Sequence, residues 1–342
     1  MSARPSSPTS RRRPRPRWPR HSRPRCPIPC PNSRSTRPAT PTARHTDMAM
    51  MRYAEALNAA LREEMQADPS VFVFGEDIGR YGGVFKATKG LMEEFGGTRV
   101  RDTPISEQAL TAMAVTAAMT GTRPVLEIMY ADFVPLTLDA LVNQASIYNY
   151  IWNGQVKMPF VLRTQGGGGA GAGAQHSKSL DSMLAHIPGI KVVAPSTPAD
   201  AKGMLKAAIR DDQPVVFLEH KLLYNTRGEV PEGDVTVPLG KAATLREGSD
   251  ISIFATSKMV VEALKAADLL AADGVSTEIV DLRSLRPLDV NAIVASIAKT
   301  HHAVVVNEGW RFCGYAAELS ATIMDHAFDE LDAPVARVTL PG

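Results

Sequence analysis

Residues 186–224 read HIPGIKVVAPSTPADAKGMLKAAIRDDQPVVFLEHKLLY. IKVVAP and PVVFLEH are short β-branched runs bounded by Gly and Pro, and PADAKGMLKAAIRD between them carries apolar residues at helical spacing. The same alternation runs outward in both directions. Before it come the helical stretch RYAEALNAALREEMQ (52–66), the strand candidates VFVFG (71–75), PVLEIMY (124–130) and MPFVLR (158–163), and the helical LTLDALVNQASIYNYI (136–151). Strands that alternate with helices form a parallel sheet covered on both faces. A polar stretch rich in Gly and Pro, NTRGEVPEGDVTVPLG (225–240), then interrupts the rhythm and reads as a linker. A second alternating set follows: ISIFAT, MVVEALKAADLLAADG, STEIVDL, VNAIVASIAK, AVVVNEG, a helix from about Tyr315 to Phe328, and PVARVTL. The expectation is two doubly wound α/β domains, at 51–225 and 240–342, joined by a linker at 226–239. The chain stops at Gly342, directly after a strand, where a last covering helix is expected, so the second domain reads as short.

The totals agree with two domains. A chain of 342 residues that is 44% hydrophobic can bury two cores. No apolar stretch approaches the roughly 18 residues of a membrane span, so no membrane role is expected. The formal net charge of +2 hides an asymmetry: residues 1–47 hold 12 Arg, no Lys and one acid, Asp47, which makes that segment +11 and the remainder −9. An acidic body argues against nucleic acid as a partner. The tail contains 11 prolines, shows no hydrophobic periodicity and reads as disordered. Its Arg-rich, acid-poor character resembles a mitochondrial transit peptide, but its prolines would break the amphipathic helix of one, so the location is read as cytoplasmic, with the mitochondrial matrix as the alternative. Cys26 and Cys30 lie in the tail and Cys313 stands alone in the body, which leaves no disulfide framework or zinc set.

Four stretches could carry chemistry. In RTQGGGGAGAGAQHSKS (163–179), Gly166, Gly168 and Gly171 satisfy G-x-G-x-x-G after a strand. A dinucleotide site would also need a helix and, about 20 residues on, an acid ending the next strand. IKVVAP ends instead in Ala194 and Pro195, and no G-K-[ST] follows for a Walker loop. A flexible surface loop accounts for the glycines but not for AQHS, which contains His176. GEDIGRYGG (75–83) puts Glu76 and Asp77 at the carboxyl end of a strand, where ligands of parallel sheets gather; an acidic N-cap is the alternative. In RDTPISEQAL (101–110), Thr103 reads as an N-cap, Pro104 as the first helical residue, and Glu107 as either a site carboxylate or a complement to the helix dipole. EIMYADF (127–133) places Phe133 just past a strand end, as core or as site.

In order, GEDIGRYGGVFKATKGL, RDTPISEQA, TRPVLEIMYADF, AQHSKSL, the stretch quoted at the outset and DLRSLRPLD resemble the beta subunit of the thiamine-diphosphate-dependent decarboxylating component of 2-oxo acid dehydrogenase complexes. The likeness spans about Met51 to Gly342 and is greatest to the pyruvate and acetoin members, with the branched-chain type as an alternative. It implies a pyrimidine-binding domain followed by a transketolase C-terminal-like domain, an α2β2 heterotetramer with an alpha subunit, and acyl transfer to a lipoyl-bearing acyltransferase core. It assigns Glu107 to N1′ of the thiamine aminopyrimidine, Phe133 to stacking on that ring, Glu76 to the cofactor's vicinity and His176 to the incoming lipoyl group. It also implies a potassium loop of Phe160, Ala208, Ile209, Asp211 and Gln213, built mostly of backbone oxygens. The Mg2+-diphosphate motif, G-D-G followed by Asn, has no match here, and the alpha partner of such subunits supplies it. A transketolase or deoxyxylulose-phosphate synthase relative would carry that motif in the same chain. The non-enzymatic rival is an assembly protein, against which Glu107 and His176 both stand. Three positions depart from the family pattern: Lys178 replaces the usual Gln, Ala140 stands where Gln follows Asp139, and the glycine tract is longer.

Overall fold

The computed structural model describes residues 47–341. The first lobe carries β1 (Met48–Arg52), β2 (Val71–Gly75), β3 (Val100–Asp102), β4 (Arg123–Ile128), β5 (Val161–Gly166), β6 (Lys191–Val193), β7 (Val215–His220) and β8 (Arg227–Pro231). The second carries β9 (Ala243–Arg246), β10 (Ile251–Ala255), β11 (Thr277–Asp281), β12 (Ser284–Arg286), β13 (Ala303–Trp310) and β14 (Ala336–Leu340). Seven strands form the larger sheet in the order β12-β6-β7-β5-β4-β2-β3, and five form the smaller in the order β14-β13-β10-β11-β9. Within the larger sheet every pair is parallel except β12 with β6. In the smaller, only β9 runs antiparallel.

The pattern of the opening stretch explains the layers. Val215 and Phe217 of β7 point into one core with the helices Tyr53–Ala67 and Pro198–Arg210, while Val216 points into the other with the helix Glu107–Met119. A strand buried on both faces needs apolar residues at every position, as VVF provides. The helix Pro198–Arg210 starts where STPAD signals it, with the Thr197 hydroxyl accepting from Asp200 N at 3.1 Å and Pro198 in the first turn. Its Lys206 is 1% exposed, but Glu63 and Asp234 take its ammonium at 2.5 and 2.8 Å. Burial of that stem is tolerated because the charge is paired.

Three local expectations change. The helix predicted to open at Thr103 and Pro104 begins at Glu107, because Thr103 N still follows the sheet edge and donates to Gly75 O at 3.0 Å. LTLDALVNQASIYNYI forms short 3-10, α and π segments rather than one helix. Part of the linker is the strand β8, paired antiparallel with β1 along its whole length. β12, although from the second lobe by sequence, is an edge strand of the first lobe's sheet, so the two sheets are laced together within one compact unit. No helix among the described residues is long and apolar enough to cross a membrane.

Candidate active site

The strand order of the larger sheet brings the sequence motifs together. Glu107 follows β3, Glu76 follows β2, Phe133 follows β4, the glycine loop with His176 follows β5, and His220 ends β7. These are neighbouring strands, so all five residues stand along the carboxyl edge.

Glu76 and Glu107 are each 6% exposed. The turn after Glu76 is pinned by Asp102, which accepts from Gly79 N at 2.5 Å and Arg80 N at 3.2 Å, and by Thr88, whose hydroxyl donates to Ile78 O at 2.7 Å. One oxygen of Glu76, Oε1, is buried with no hydrogen-bond partner among the described residues. Loss of water, then the nearby carboxylates of Glu107 and Asp77, raise the Glu76 carboxyl to about 7. Glu107 is the first residue of its helix, where the dipole favours a carboxylate.

His176 ends a 3-10 turn, Ala174–His176, at the far end of the glycine loop. Its ring meets the edges of Tyr130 and Phe133 at centroid distances of 4.6 and 5.7 Å. Lys221 Nζ donates to the carbonyl of His176 and also lies 5.5 Å from the Tyr130 ring centre. Desolvation lowers the Lys221 ammonium below the usual lysine range, against the opposing charges of Asp132 and Glu308. Lys178 is half-exposed yet held: it pairs with Asp132 at 2.9 Å and donates to Ala174 O at 3.0 Å. It thereby ties the histidine loop to the Phe133 turn.

Of the glycines, Gly167 has the plainest physical requirement. Its φ is +88°, and a Cβ there would lie 2.0 Å from His220 Nε2. By contrast Gly171 and Gly173 have nothing within 4 Å. The next strand along the chain, β6, ends without an acid, and no long helix directly follows the G-x-G-x-x-G match, so the structure offers no dinucleotide cradle there.

Behind the loop lies a buried charge cluster. Arg163 of β5 is 0% exposed and donates to Glu127 of β4 at 2.8 Å and to Glu219 of β7 at 2.7 and 2.9 Å. Gln165 donates to Glu127 at 3.0 Å, and the Tyr224 hydroxyl donates to Glu219. Three strands that bury polar side chains must satisfy them among themselves, and the fork of a guanidinium does so for two carboxylates.

The residues of the predicted potassium loop lie elsewhere, at the amino edge of the same sheet. Phe160 precedes β5, and Ala208, Ile209, Asp211 and Gln213 precede β7. The carbonyls of Ile209 and Asp211 both accept from Arg123 Nη1 at 3.0 Å, Ala208 O accepts from Asp211 N at 3.3 Å, and Lys191 takes the Asp211 carboxylate.

Tyr130, His220, Lys221, Glu308 and the Arg163 cluster were not singled out by motif. The signal for two of them was present: His220 and Lys221 close PVVFLEHK at a strand's carboxyl end, the same position that marked Glu76.

Comparison with known proteins agrees with this layout. The family described as transketolase, pyrimidine binding domain matches residues 49–227, and transketolase, C-terminal domain matches 240–342. The pyruvate dehydrogenase E1 component subunit beta of Bacillus subtilis is 48% identical over 86% of this chain and 91% of its own length. The acetoin:2,6-dichlorophenolindophenol oxidoreductase subunit beta of the same organism is 44% identical, covering 84% and 88%. A mitochondrial pyruvate dehydrogenase E1 subunit beta-2 of Oryza sativa is 46% identical, covering 89% and 84%. A solved structure described as a split-gene transketolase, inactive beta4 tetramer, shares the fold at a TM-score of 0.70 with 24% identity, covering 85% of this chain and 90% of that one. Two transketolase-type domains in this order, matched nearly end to end by such subunits, place the chain in the family of beta subunits of thiamine-dependent 2-oxo acid dehydrogenases.

Proposed function

We propose that the chain is the beta subunit of a 2-oxo acid dehydrogenase of the pyruvate or acetoin type, working with an alpha subunit to decarboxylate a 2-oxo acid and pass the acyl group to a lipoyl-bearing acyltransferase. The observation that carries the reading is the paired carboxylates of Glu76 and Glu107 on the same sheet edge as the loop that delivers His176. The branched-chain type stays the alternative, since the 2-oxoisovalerate dehydrogenase subunit beta of Bacillus subtilis is 44% identical, close to the 48% of the pyruvate dehydrogenase subunit.

The residues present fit thiamine diphosphate. The orphaned, buried Oε1 of Glu76 lacks a donor, which an aminopyrimidine supplies, and Phe133 offers an aromatic face beside it in sheet order. When bound, the cofactor supplies the carbanion equivalent that attacks the 2-oxo carbon. Glu107 would hold a proton at N1′ of the aminopyrimidine, and Phe133 would orient the ring. His176 would give a proton to the lipoyl sulfur as the acyl group is taken up, a task suited to imidazole near neutral pH. Mg2+ would be held by the alpha partner. A potassium ion at the amino edge would use the second lone pairs of the Ile209 and Asp211 carbonyls, whose first are taken by Arg123. For location we favour the cytoplasm; the 11 prolines of residues 1–47 oppose a transit helix, and residues 1–46 lie outside the described residues.

The test is reconstitution with an alpha subunit of the same family. Decarboxylation is followed with an artificial electron acceptor, and acylation with an isolated lipoyl domain. The chain alone should be inactive and the pair active; Glu107→Gln should lower both readouts by about 100-fold or more, while His176→Ala should lower lipoyl acylation far more than decarboxylation. Full activity without a partner would overturn the two-subunit reading.

A further inference from the structure

The glycine loop is an Ω-shaped excursion from 167 to 178, closed at its neck by Gly167 N donating to Lys178 O at 3.1 Å. Little outside the loop holds its interior: Gly167, Gly169, Gly171 and Gly173 all have positive φ, and Gly173 O accepts from the Ser177 hydroxyl at 2.7 Å and from His176 N at 3.3 Å, both bonds within the loop itself. Where the loop stands must therefore be decided at its tip and its neck. The tip is held in the first lobe, by Tyr130 and Lys221.

The neck is held from the second lobe. Glu308, on β13, accepts from Gly168 N at 2.9 Å through Oε1, and from the Ser179 hydroxyl at 3.0 Å and His220 Nε2 at 2.9 Å through Oε2. Three donors thus come from three separate places: the entry of the loop, its exit and the end of β7. The tautomer of His220 follows from its other nitrogen. Leu222 N donates to Nδ1 at 3.1 Å, so the ring proton sits on Nε2 and points at Glu308. Gly167 leaves the space in which that ring lies against the neck.

We propose that Glu308 is a positioning residue for His176: its carboxylate fastens both ends of the glycine loop to the second lobe and so sets where the imidazole stands during acyl transfer. The role rests on the function proposed above for His176. Glu76 and Glu107 belong to other strands and take no bond from Glu308, so the cofactor side of the site does not depend on the clamp.

The experiment compares Glu308→Ala, Glu308→Gln and Ser179→Ala with the unaltered chain by two independent readouts. The first is amide hydrogen exchange of the chain itself. In Glu308→Ala, peptides covering 166–180 should exchange about tenfold faster, as expected for releasing a loop from several hydrogen bonds, while the helix Lys258–Ala272 is unchanged. Glu308→Gln keeps one acceptor oxygen, and Ser179→Ala removes a single donor, so both should fall between. The second readout is the reconstituted pair: Glu308→Ala should lower lipoyl acylation about tenfold and leave decarboxylation with an artificial acceptor within about twofold, and Glu308→Gln should recover part of the loss. Unchanged exchange at 166–180, or equal losses in both assays, overturns the proposal. If Glu308→Ala does not fold, the two milder variants decide by the same criteria. A wild-type pair that neither decarboxylates nor acylates would remove the functional reading, and exchange would still decide whether Glu308 holds the loop.

Discussion

Replacing Arg163 by Met should be among the most damaging single changes in the first lobe. The guanidinium is fully buried, and the side chains of its partners Glu127 and Glu219 are 3% and 0% exposed. Met fills much of the same volume, so the loss is chiefly electrostatic: two carboxylates remain without a cation, supported only by Gln165 and Tyr224. Breaking a buried pair in this way costs about 3–5 kcal/mol. With a urea slope of about 3 kcal/mol per M for a chain of this size, the unfolding midpoint should fall by about 1–1.7 M. The deficit should also depend on pH. Burial already raises the Glu127 carboxyl even with Arg163 beside it, and removing the cation raises it further. A carboxylate with a raised folded pKa destabilises increasingly as pH climbs from its unfolded pKa to its folded one, so the variant should suffer less at pH 5 than at pH 8. Urea titrations at the two pH values measure both effects. A loss under about 1 kcal/mol at pH 8, or a larger deficit at pH 5, would refute the reasoning. Adding Glu127→Gln and Glu219→Gln should recover most of the loss, because no uncompensated charge then remains.

Gly167→Ala should cost about 2–4 kcal/mol, summing a strained φ with displacement of His220 from Glu308; a thermal midpoint unchanged within error would mean the neck yields freely. Asp281 is buried, accepts from Ser196 and from Arg283 N at 2.9 Å, and has its carboxyl raised to about 7, mainly by desolvation. Stability should therefore fall by up to about 1.4 kcal/mol per pH unit between about pH 4 and 7 from this group, and Asp281→Asn should flatten that slope in denaturant titrations. Lys178→Met leaves Asp132, whose side chain is 2% exposed, without its cation. Because the lysine is 40% exposed and partly screened, the expected loss is about 1 kcal/mol, with faster exchange in 174–178 as the sharper sign.

Much of the fold could be read from local pattern, because period-2 and period-3.6 apolar spacing is a property of neighbouring residues. VFVFG became β2 residue for residue, and STPAD capped its helix as the signals required. Glu76, Glu107, Phe133 and His176 were named through the family resemblance, and sheet order sets all four along one carboxyl edge. The helix start at Glu107 was not legible, since Thr103 and Pro104 satisfy capping rules that pairing with Gly75 overrides. Nor were β12, the Arg163 cluster or Glu308. Glu308 lies 140 residues from Gly168 in the chain, and Arg163 lies 36 from Glu127 and 56 from Glu219. Such partners are chosen by which strands the sheet order sets side by side and by how the second lobe packs on the first. Sequence by itself determined most of the strands and helices, because those depend on each residue and its near neighbours. Only the tertiary structure decided that a glutamate of one lobe holds the histidine loop of the other, because a hydrogen bond between lobes leaves no periodic trace along the chain.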